Sequence, residues 1–243
     1  MNWICFAIAT TCSIPGWLTR PAWAENPDHL QQLKTSGTCE RCDLQGANLV
    51  GVDLSNATLT EANLDRAVLR RANLRGANLT GASLRGARLN RADLFQANLE
   101  RANLESAYMT NASAIQANLS RANLNKIVLT RTNLSAANLS NTSLTRVLLN
   151  RANLSGSNLN NADLSETNLS NTDLSHADLT NANLQGTNLT HTILKQAILS
   201  GANLSGTDLS GANLEDADLR GANLCWTTLP NGALSQKGCT RER

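Results

Sequence analysis

The segment Ala72-Asn73-Leu74-Arg75-Gly76 decides the fold, because units of the same pattern recur along the chain as far as Ala212-Asn213-Leu214-Glu215-Asp216. Leu occupies position 44 and then every fifth position to 234, at thirty-seven of thirty-nine places, and Met109 and Ala114 are the exceptions. Ala stands two residues before the Leu in most units, and Asn or Asp usually stands directly before it. We call these three places the Leu position, the small position and the Asx position.

A period of five matches neither the 3.6 residues of an α-helix nor the 2 residues of a strand. The chain must therefore turn a corner in every unit. The Leu and small positions would then fill a narrow interior, while the other three positions face water. Such self-similarity is the signature of a solenoid whose backbone hydrogen bonds stack from coil to coil. The unit at residues 112–116, where Ala114 replaces Leu, predicts a local bulge or void.

The pattern A-(D/N)-L-x-x resembles that of the pentapeptide-repeat family over about 195 residues, which is nearly all of the chain after its first 24 residues. The resemblance implies an all-β solenoid, a right-handed quadrilateral β-helix in which the Leu and small positions point inward. Enzymatic activity and cofactors are not implied by it.

The number of sides follows from the sequence itself. Between Asp43 and Asn158, the Asx position holds Asn, Asp, Ser or Thr except at five residues spaced by twenty: Val68, Arg88, Tyr108, Val128 and Leu148. A second series with the same spacing occupies the small position: Thr167, Thr187, Thr207 and Thr227. Twenty residues are four units, so we predict four units per coil and nearly ten coils. At about 4.8 Å per coil the rod would be roughly 47 Å long.

The first twenty-four residues have the character of an export signal. An apolar stretch from Trp3 to Ile14 precedes Ala22-Trp23-Ala24, which has small residues at the two places that a signal peptidase reads. The stretch is too short to span a bilayer. It departs from the usual export signal in one respect, because no basic residue precedes the apolar stretch. We predict cleavage near Ala24 and export to the periplasm, or to the thylakoid lumen in a photosynthetic source. No later segment reaches transmembrane length.

Both ends of the repeat array need caps, because a solenoid end exposes unpaired backbone and core. Asn26 and Pro27 predict the start of a short helix over the first coil. The predicted organisation is a signal peptide at 1–24, a cap with a short helix at 25–41, a β-helix at 42–234 and a tail at 235–243. Leu229-Pro230-Asn231-Gly232 breaks the motif before that tail.

Four cysteines remain after cleavage, Cys39, Cys42, Cys225 and Cys239, and they flank the array. In an exported protein, an even set at the ends favours two structural disulfides, 39–42 and 225–239. Free or otherwise paired thiols, or a redox or metal role, remain as alternatives. No second CxxC accompanies the first at the spacing of a zinc site.

The formal net charge of +2 indicates no particular partner, but it hides a polarity along the chain. From Arg66 to Arg151 there are thirteen Lys and Arg against three acidic residues. From Ala152 to Leu219 there is one Lys against eight acidic residues. A rod would therefore have a basic middle and an acidic far end.

The five exceptions in the Asx position define the candidate site. Since they occupy an outward position, Val68, Arg88, Tyr108, Val128 and Leu148 should stack as one mostly apolar stripe. Beside the stripe, the second residue after the Leu is basic in four coils: Arg71, Arg91, Arg131 and Arg151. An apolar strip bordered by cations is typical of an interaction surface for a protein or an anionic ligand. The alternative is a merely structural ladder of stacked side chains.

Three classes of function are conceivable for such a rod: a binding or scaffold module, a mimic or binder of nucleic acid, and an enzyme. We favour a non-enzymatic, exported binding or scaffold module, of the kind that the resemblance associates with cyanobacteria. The family's quinolone-resistance members resemble B-form DNA, but DNA mimicry needs an acidic rod in the cytoplasm. Direct nucleic-acid binding suits the Arg columns but conflicts with export.

An enzyme is the least favoured class. The chain has three His residues, and their spacing builds neither a Ser-His-Asp nor a Cys-His arrangement with neighbouring residues. Phosphate-binding Gly-rich loops are absent from the sequence, because each Gly in the array stands at a corner, two residues after the Leu. No metal site or cofactor is predicted.

Overall fold

The computed structural model describes residues 26–239, so the predicted signal peptide lies outside the described residues. Helix α1 spans Pro27–Ser36 and is followed by a β-helix. In every coil, each of the four sides makes one parallel bridge, which joins its Asx position to the residue twenty places further on. The bridges run from Thr38↔Thr58 to Asp208↔Thr228. Four units per coil and the right-handed quadrilateral β-helix are thereby confirmed.

The core is a stack of Leu and small residues with almost no exposure to solvent. The two irregular Leu positions, Met109 and Ala114, are both 0% exposed. The coil stays regular at the short side chain, since Ala114 donates to the carbonyl of Asn133 at 2.7 Å and Leu94 donates to that of Ser113 at 2.6 Å. The predicted bulge at residues 112–116 is therefore wrong, because the backbone ladder tolerates a missing side chain.

The motif accounts for all five backbone N–H groups of a unit, as residues 72–76 show. The N–H of Leu74 and Gly76 donate to the following coil, at 2.7 and 2.8 Å, and that of Asn73 donates to the preceding coil at 3.0 Å. The Ala72 N–H closes the turn on Leu69 at 3.1 Å. The remaining N–H, of Arg75, donates to the side-chain Oδ1 of Asn73 at 3.2 Å. Asn or Asp is thus favoured at the Asx position because it satisfies a donor that no carbonyl reaches.

The two residues after each Leu form the corner, and we call them the first and second corner positions. The second corner position has a left-handed backbone throughout the array, as at Gly76 (φ 63°) and Arg71 (φ 58°). With the bond from the next N–H to the Leu carbonyl, this is the pattern of type II turns, which favours Gly. Side chains at this position point away from the core and are exposed or half-buried, so several Arg residues also occupy it.

The N-terminal cap begins at the predicted residues, and a His side chain adds a second capping contact. The Asn26 side chain accepts the N–H of Asp28 at 3.0 Å, and Pro27 follows the cap. Leu33 is buried on the core. The Asp43 N–H has no preceding coil to donate to, and the Nδ1 of His29 accepts it at 2.9 Å.

Stacking begins earlier than the predicted residue 42. Thr38 already bridges to Thr58, and Cys39 occupies a Leu position with 0% exposure. Cys39 is disulfide-bonded to Cys42, which occupies the next small position. This disulfide therefore lies inside the core and joins the Leu position and the small position on either side of the first corner.

The C-terminal tail folds back over the last coil. After the turn at residues 229–233, Leu234 pairs antiparallel with Thr228 and is 56% exposed. The Leu predicted as the last of the array is therefore outside the core. Tail carbonyls accept the N–H of Leu224 and Trp226, both at 2.9 Å, and the Cys225–Cys239 disulfide holds the tail there.

Candidate binding face

The structure places the five exceptional residues of the Asx position directly above one another. Parallel bridges join Val68 to Arg88, Arg88 to Tyr108, Tyr108 to Val128 and Val128 to Leu148. Tyr108 and Leu148 are about half exposed, at 48% and 50%, whereas the two Val residues are partly covered. The apolar character of the predicted stripe is thus concentrated at Tyr108 and Leu148.

Basic residues border the stripe on both sides and also lie within it. The second corner position after it carries Arg71, Arg91, Arg131 and Arg151, all exposed. We define the basic face as the side of the rod that carries the stripe, with its two corners, between residues 66 and 151. Its cations are Arg66, Arg70, Arg71, Arg88, Arg91, Lys126, Arg131, Arg146 and Arg151.

Only one of these cations has an acidic partner within residues 26–239. Arg146 pairs with Glu166 at 2.6 Å, and this hydrogen bond raises the pKa of the Arg146 guanidinium. The other eight make no ion pair in the described part of the chain. No Asp or Glu occupies the four columns that contain these cations between residues 66 and 151, and Glu105, which adjoins them at the corner before the stripe, pairs with Arg85 at 3.4 Å. The face is therefore an uncompensated field of positive charge.

Five backbone donors on the basic face lack the acceptor that Asn or Asp provides in the standard unit, and the N–H groups of Thr60, Ile115, Thr145, Lys195 and Ser200 lack it elsewhere in the array. Because the stripe residues have no Asn or Asp oxygen, the first corner N–H that follows each of them has no acceptor among residues 26–239. These donors belong to Arg70, Asn90, Thr110, Thr130 and Asn150. Everywhere that Asn or Asp is present between Asp43 and Asp65, by contrast, its Oδ1 accepts this N–H.

The basic face contains an open cleft of about 550 Å³. Arg70, Arg71, Arg88, Asn90, Arg91 and Tyr108 line it. Four of the six are cations and none is acidic. The cleft lies where two of the unpaired backbone donors, those of Arg70 and Asn90, follow each other along the column.

Comparison with known proteins gives the family. The model of pentapeptide repeats matches in eight copies, over residues 39–76, 55–91, 87–125, 127–165, 157–196, 188–224 and 197–232. The chain belongs to the pentapeptide-repeat family. No curated protein matches it.

Solved pentapeptide-repeat proteins resemble the chain over much of its length. HetL, a regulator of heterocyst differentiation from the cyanobacterium Nostoc sp. strain PCC 7120, is 32% identical, with 87% of this chain and 99% of that chain covered and a TM-score of 0.35. A pentapeptide-repeat protein of the Arabidopsis thaliana thylakoid lumen is 25% identical, with 63% and 70% covered and a TM-score of 0.18. QnrB1, a plasmid-mediated fluoroquinolone resistance protein, is 19% identical, with 76% and 87% covered and a TM-score of 0.39.

The pentapeptide-repeat ladder is loosened behind the C-terminal half of the basic face. There the small position holds Ile127 and Val147, where the preceding coils have Ala87 and Ala107. The bonds that the N–H of Leu148 and Asn168 would make to the preceding coil are absent, and that of Leu149 to the next coil is stretched to 3.3 Å. Bonds between coils are also missing on the preceding side of the rod, at the N–H of Leu124 and Ser143, where the small positions hold Ala122 and Thr142. We therefore attribute only the bonds missing beside Ile127 and Val147 to side chains that overfill a position sized for Ala.

The three His residues lie at different places among residues 26–239. His176 and His191 lie at second corner positions on different sides, and His29 is engaged with the Asp43 N–H. In the same range, no group of three or more His, Cys, Asp and Glu is placed to hold a metal ion. The described helix α1 lacks the length and apolar character of a membrane span, and no other helix is described.

Two parts of the basic face were not identified from the sequence. Arg70 was not grouped with the Arg columns, because it occupies the first corner position in one coil only. The unpaired backbone donors require knowledge of which N–H the Asx side chain accepts. Once that bond is known, every Val, Leu, Tyr or Arg at the Asx position predicts such a donor.

Proposed function

We propose that this pentapeptide-repeat protein is an exported, non-enzymatic binding module whose basic face docks an acidic surface of a protein partner. The observation that carries the proposal is the set of eight cations without an acidic partner among residues 26–239, in columns that contain no acidic residue between residues 66 and 151. Charges of one sign on one side of a rod favour association with an oppositely charged surface and accelerate encounter with it.

The composition of the basic face supports docking to a protein. Tyr and Arg are enriched in the central parts of protein interfaces, and Tyr108 lies between Arg88 and the cations of the next coils. The face extends over five coils, which is roughly 20 Å along the rod. Its N-terminal half is also rigid, because each residue there is held by the coils above and below, so docking through that half costs little conformational entropy.

Export is the second part of the proposal. Disulfides persist in oxidising compartments, and the two disulfides at the ends of the rod are compatible with one. With the A-x-A sequence before Glu25, they favour cleavage near Ala24 and residence in the periplasm or the thylakoid lumen. This compartment disfavours nucleic acid as the partner of the Arg columns.

The docking surface is tested by pull-down from a periplasmic or lumenal extract with three baits beside the wild type. Tyr108→Asp/Val128→Asp places acid in the stripe, and Arg131→Glu/Arg151→Glu reverses two corner charges. The matched control is Arg101→Glu/Arg121→Glu, because Arg101 and Arg121 occupy second corner positions with the same left-handed backbone on another side. We expect the first two baits to lose a partner that wild type and control retain. Identical captures by all four baits would contradict docking through the basic face.

Export has its own measurement. N-terminal sequencing of the protein isolated from its source organism should give a chain that begins at Glu25. A mature chain that begins at Met1 would contradict export, and it would restore nucleic acid as a candidate partner.

A further inference from the structure

We infer that the cleft of the basic face binds a multivalent oxyanion, with the backbone N–H groups of Arg70 and Asn90 both donating to its oxygens. The inference adopts the basic face from the proposed function and names the chemical group that the face recognises. It concerns a local site of defined donors, whereas docking involves the entire face.

The first argument is the missing acceptor. In the standard unit, an Asn or Asp Oδ1 accepts the first corner N–H, as Asn73 does for Arg75 at 3.2 Å. Val68 and Arg88 occupy the Asx position before Arg70 and Asn90, and neither side chain has an acceptor atom. The two N–H groups therefore face the place where a carboxylate or amide oxygen lies in other coils. An oxygen of a bound anion fits the same place with the same geometry.

The second argument is charge. The guanidinium groups of Arg70, Arg71, Arg88 and Arg91 line the cleft, and none has an acidic partner within the described residues. Arg71 and Arg91 occupy the same position in adjacent coils, where like charges repel each other. An oxyanion between them replaces repulsion by charge-assisted hydrogen bonds, which guanidinium makes in pairs to carboxylate, phosphate and sulfate.

The third argument is that the other unpaired donors of the face have fewer cations beside them. The donor column continues through Thr110, Thr130 and Asn150, but the four-cation cleft does not recur beside it. The second corner at the third coil is Asn111 in place of Arg. Thr130 and Asn150 each precede a single Arg, whereas Arg70 and Asn90 lie in a cleft with four cations, and this places the site at residues 70–108.

The decisive variant is Val68→Asn, which leaves every charge in place. Asn is the standard residue at this position, so its Oδ1 should accept the Arg70 N–H and withdraw that donor from the anion. Val68→Ala is the matched control, because it removes side-chain volume without adding an acceptor. Leu148→Asn is a second control, since it adds the same acceptor at the far end of the column. A fourth variant, Arg71→Gln/Arg91→Gln, removes two of the cations.

The measurement is calorimetric titration of the mature protein with inorganic phosphate in a low-chloride buffer. We expect saturable binding to wild type, Val68→Ala and Leu148→Asn. Val68→Asn should weaken it at least about threefold, the effect of losing one hydrogen bond to a charged group, and Arg71→Gln/Arg91→Gln should weaken it about tenfold or more. Failure of wild type to bind phosphate, or equal affinity in Val68→Asn and Val68→Ala, would overturn the inference.

Competition identifies the source of the anion. If a hexaglutamate peptide displaces phosphate from the wild type, the site accepts carboxylates of an acidic protein segment. If sulfate displaces phosphate and the peptide does not, the site is selective for a tetrahedral anion. The titration needs no partner, so it separates the two proposals: phosphate binding with failed docking contradicts only the proposed function, and docking without phosphate binding contradicts only the oxyanion site.

Discussion

The basic middle of the rod and its acidic far end have the same backbone and nearly the same core, yet they differ in how outward groups are satisfied. Between residues 66 and 151, eight cations of one face and five backbone donors lack partners in the described chain. Between residues 152 and 219, Asn or Asp oxygens accept the corner donors in most units, and the one Lys pairs with Glu215 at 2.9 Å. In our proposal, the unsatisfied donors that lie beside unpaired cations mark where the molecule binds its partner.

The interiors of the two regions differ in a complementary way. In the far end, buried Thr residues of the small position donate to the carbonyl of a Leu in the preceding coil, as Thr187 does to Leu164 at 2.9 Å. In the middle, the corresponding column contains Ala, then Ile127 and Val147, and the ladder is incomplete beside the last two. The far end is thus cross-linked through its core, while the middle is loosest behind its basic face.

Truncation of a core Leu should have the largest effect, and it should be equal in the two regions. Leu84→Ala and Leu184→Ala remove side chains that are both 0% exposed, so each should lower the free energy of unfolding by about 3–5 kcal/mol. Leu234→Ala is the control, because this Leu matches the repeat in sequence but is 56% exposed, and its effect should stay under about 0.5 kcal/mol. Chemical unfolding measures all three. A large loss in Leu234→Ala would contradict the antiparallel tail.

Exchanging small positions between regular and loosened coils should have the next largest effect. Ala87→Val adds volume to a regular coil and should cost about 1–3 kcal/mol, because overfilling separates the coils. Amide hydrogen exchange should then quicken at Arg88 and Tyr108, whose N–H bonds to adjacent coils are both 2.9 Å.

The converse variant, Val147→Ala, should slow exchange at Leu148 and Asn168 by roughly an order of magnitude as their missing bonds form. If Val147→Ala leaves exchange at both residues unchanged, the larger side chains do not cause the loosening.

The buried Thr column predicts a smaller change. Thr187→Val keeps the shape of the side chain but removes the bond to the Leu164 carbonyl, and should cost about 0.5–1.5 kcal/mol. Thr187→Ser retains the hydroxyl and serves as the control for the donor. Val147→Thr introduces the far-end bond into the middle and should change stability less than Thr187→Val. Thermal unfolding of the three variants makes the comparison.

Acid titration should give the smallest effect, since it concerns an exposed pair. Arg220 donates two side-chain hydrogen bonds to Asp218, and these lower the Asp218 pKa to about 2 from its usual 3.8. Because the Asp218 pKa is lower in the folded state, the pair stabilises the fold at pH values above 3.8, and this contribution disappears as the pH falls through about 2. Carboxyl NMR titration should show the Asp218 pKa rising toward 3.8 in Arg220→Gln. Arg220→Lys should raise it less, because the charge remains. An unchanged pKa would mean that the pair does not form in solution.

The sequence predicted the coil but not its exact ends. The spacing of Val68 and Tyr108 was enough to count the sides, because a twenty-residue register is visible in side-chain identity. Cys39 was missed as a Leu position because a disulfide-bonded Cys fills a core place without resembling Leu. Leu234 was assigned wrongly, because periodicity cannot show that the chain has reversed after Gly232.

The candidate site was predicted in part for a similar reason. Side-chain columns such as Arg71 and Arg91 follow from the register alone. The unpaired N–H groups of Arg70 and Asn90 do not follow from the register, since every residue except Pro has a backbone N–H and the sequence does not show which of them lack an acceptor. They are recognisable only once the acceptor of the corner N–H in units with Asn or Asp is known.

The two end caps also cover the edges at which a further coil could add. A stack of parallel coils offers its last row of N–H and carbonyl groups to any further coil, and unprotected edges of this kind polymerise into fibres. Here the His29 ring accepts a donor at one end, and the reversed tail accepts those of Leu224 and Trp226 at the other. A second copy would have to displace this tail, which the Cys225–Cys239 bond tethers to the coil it covers. An architecture that is open-ended in principle thus has both ends of its ladder covered within residues 26–239.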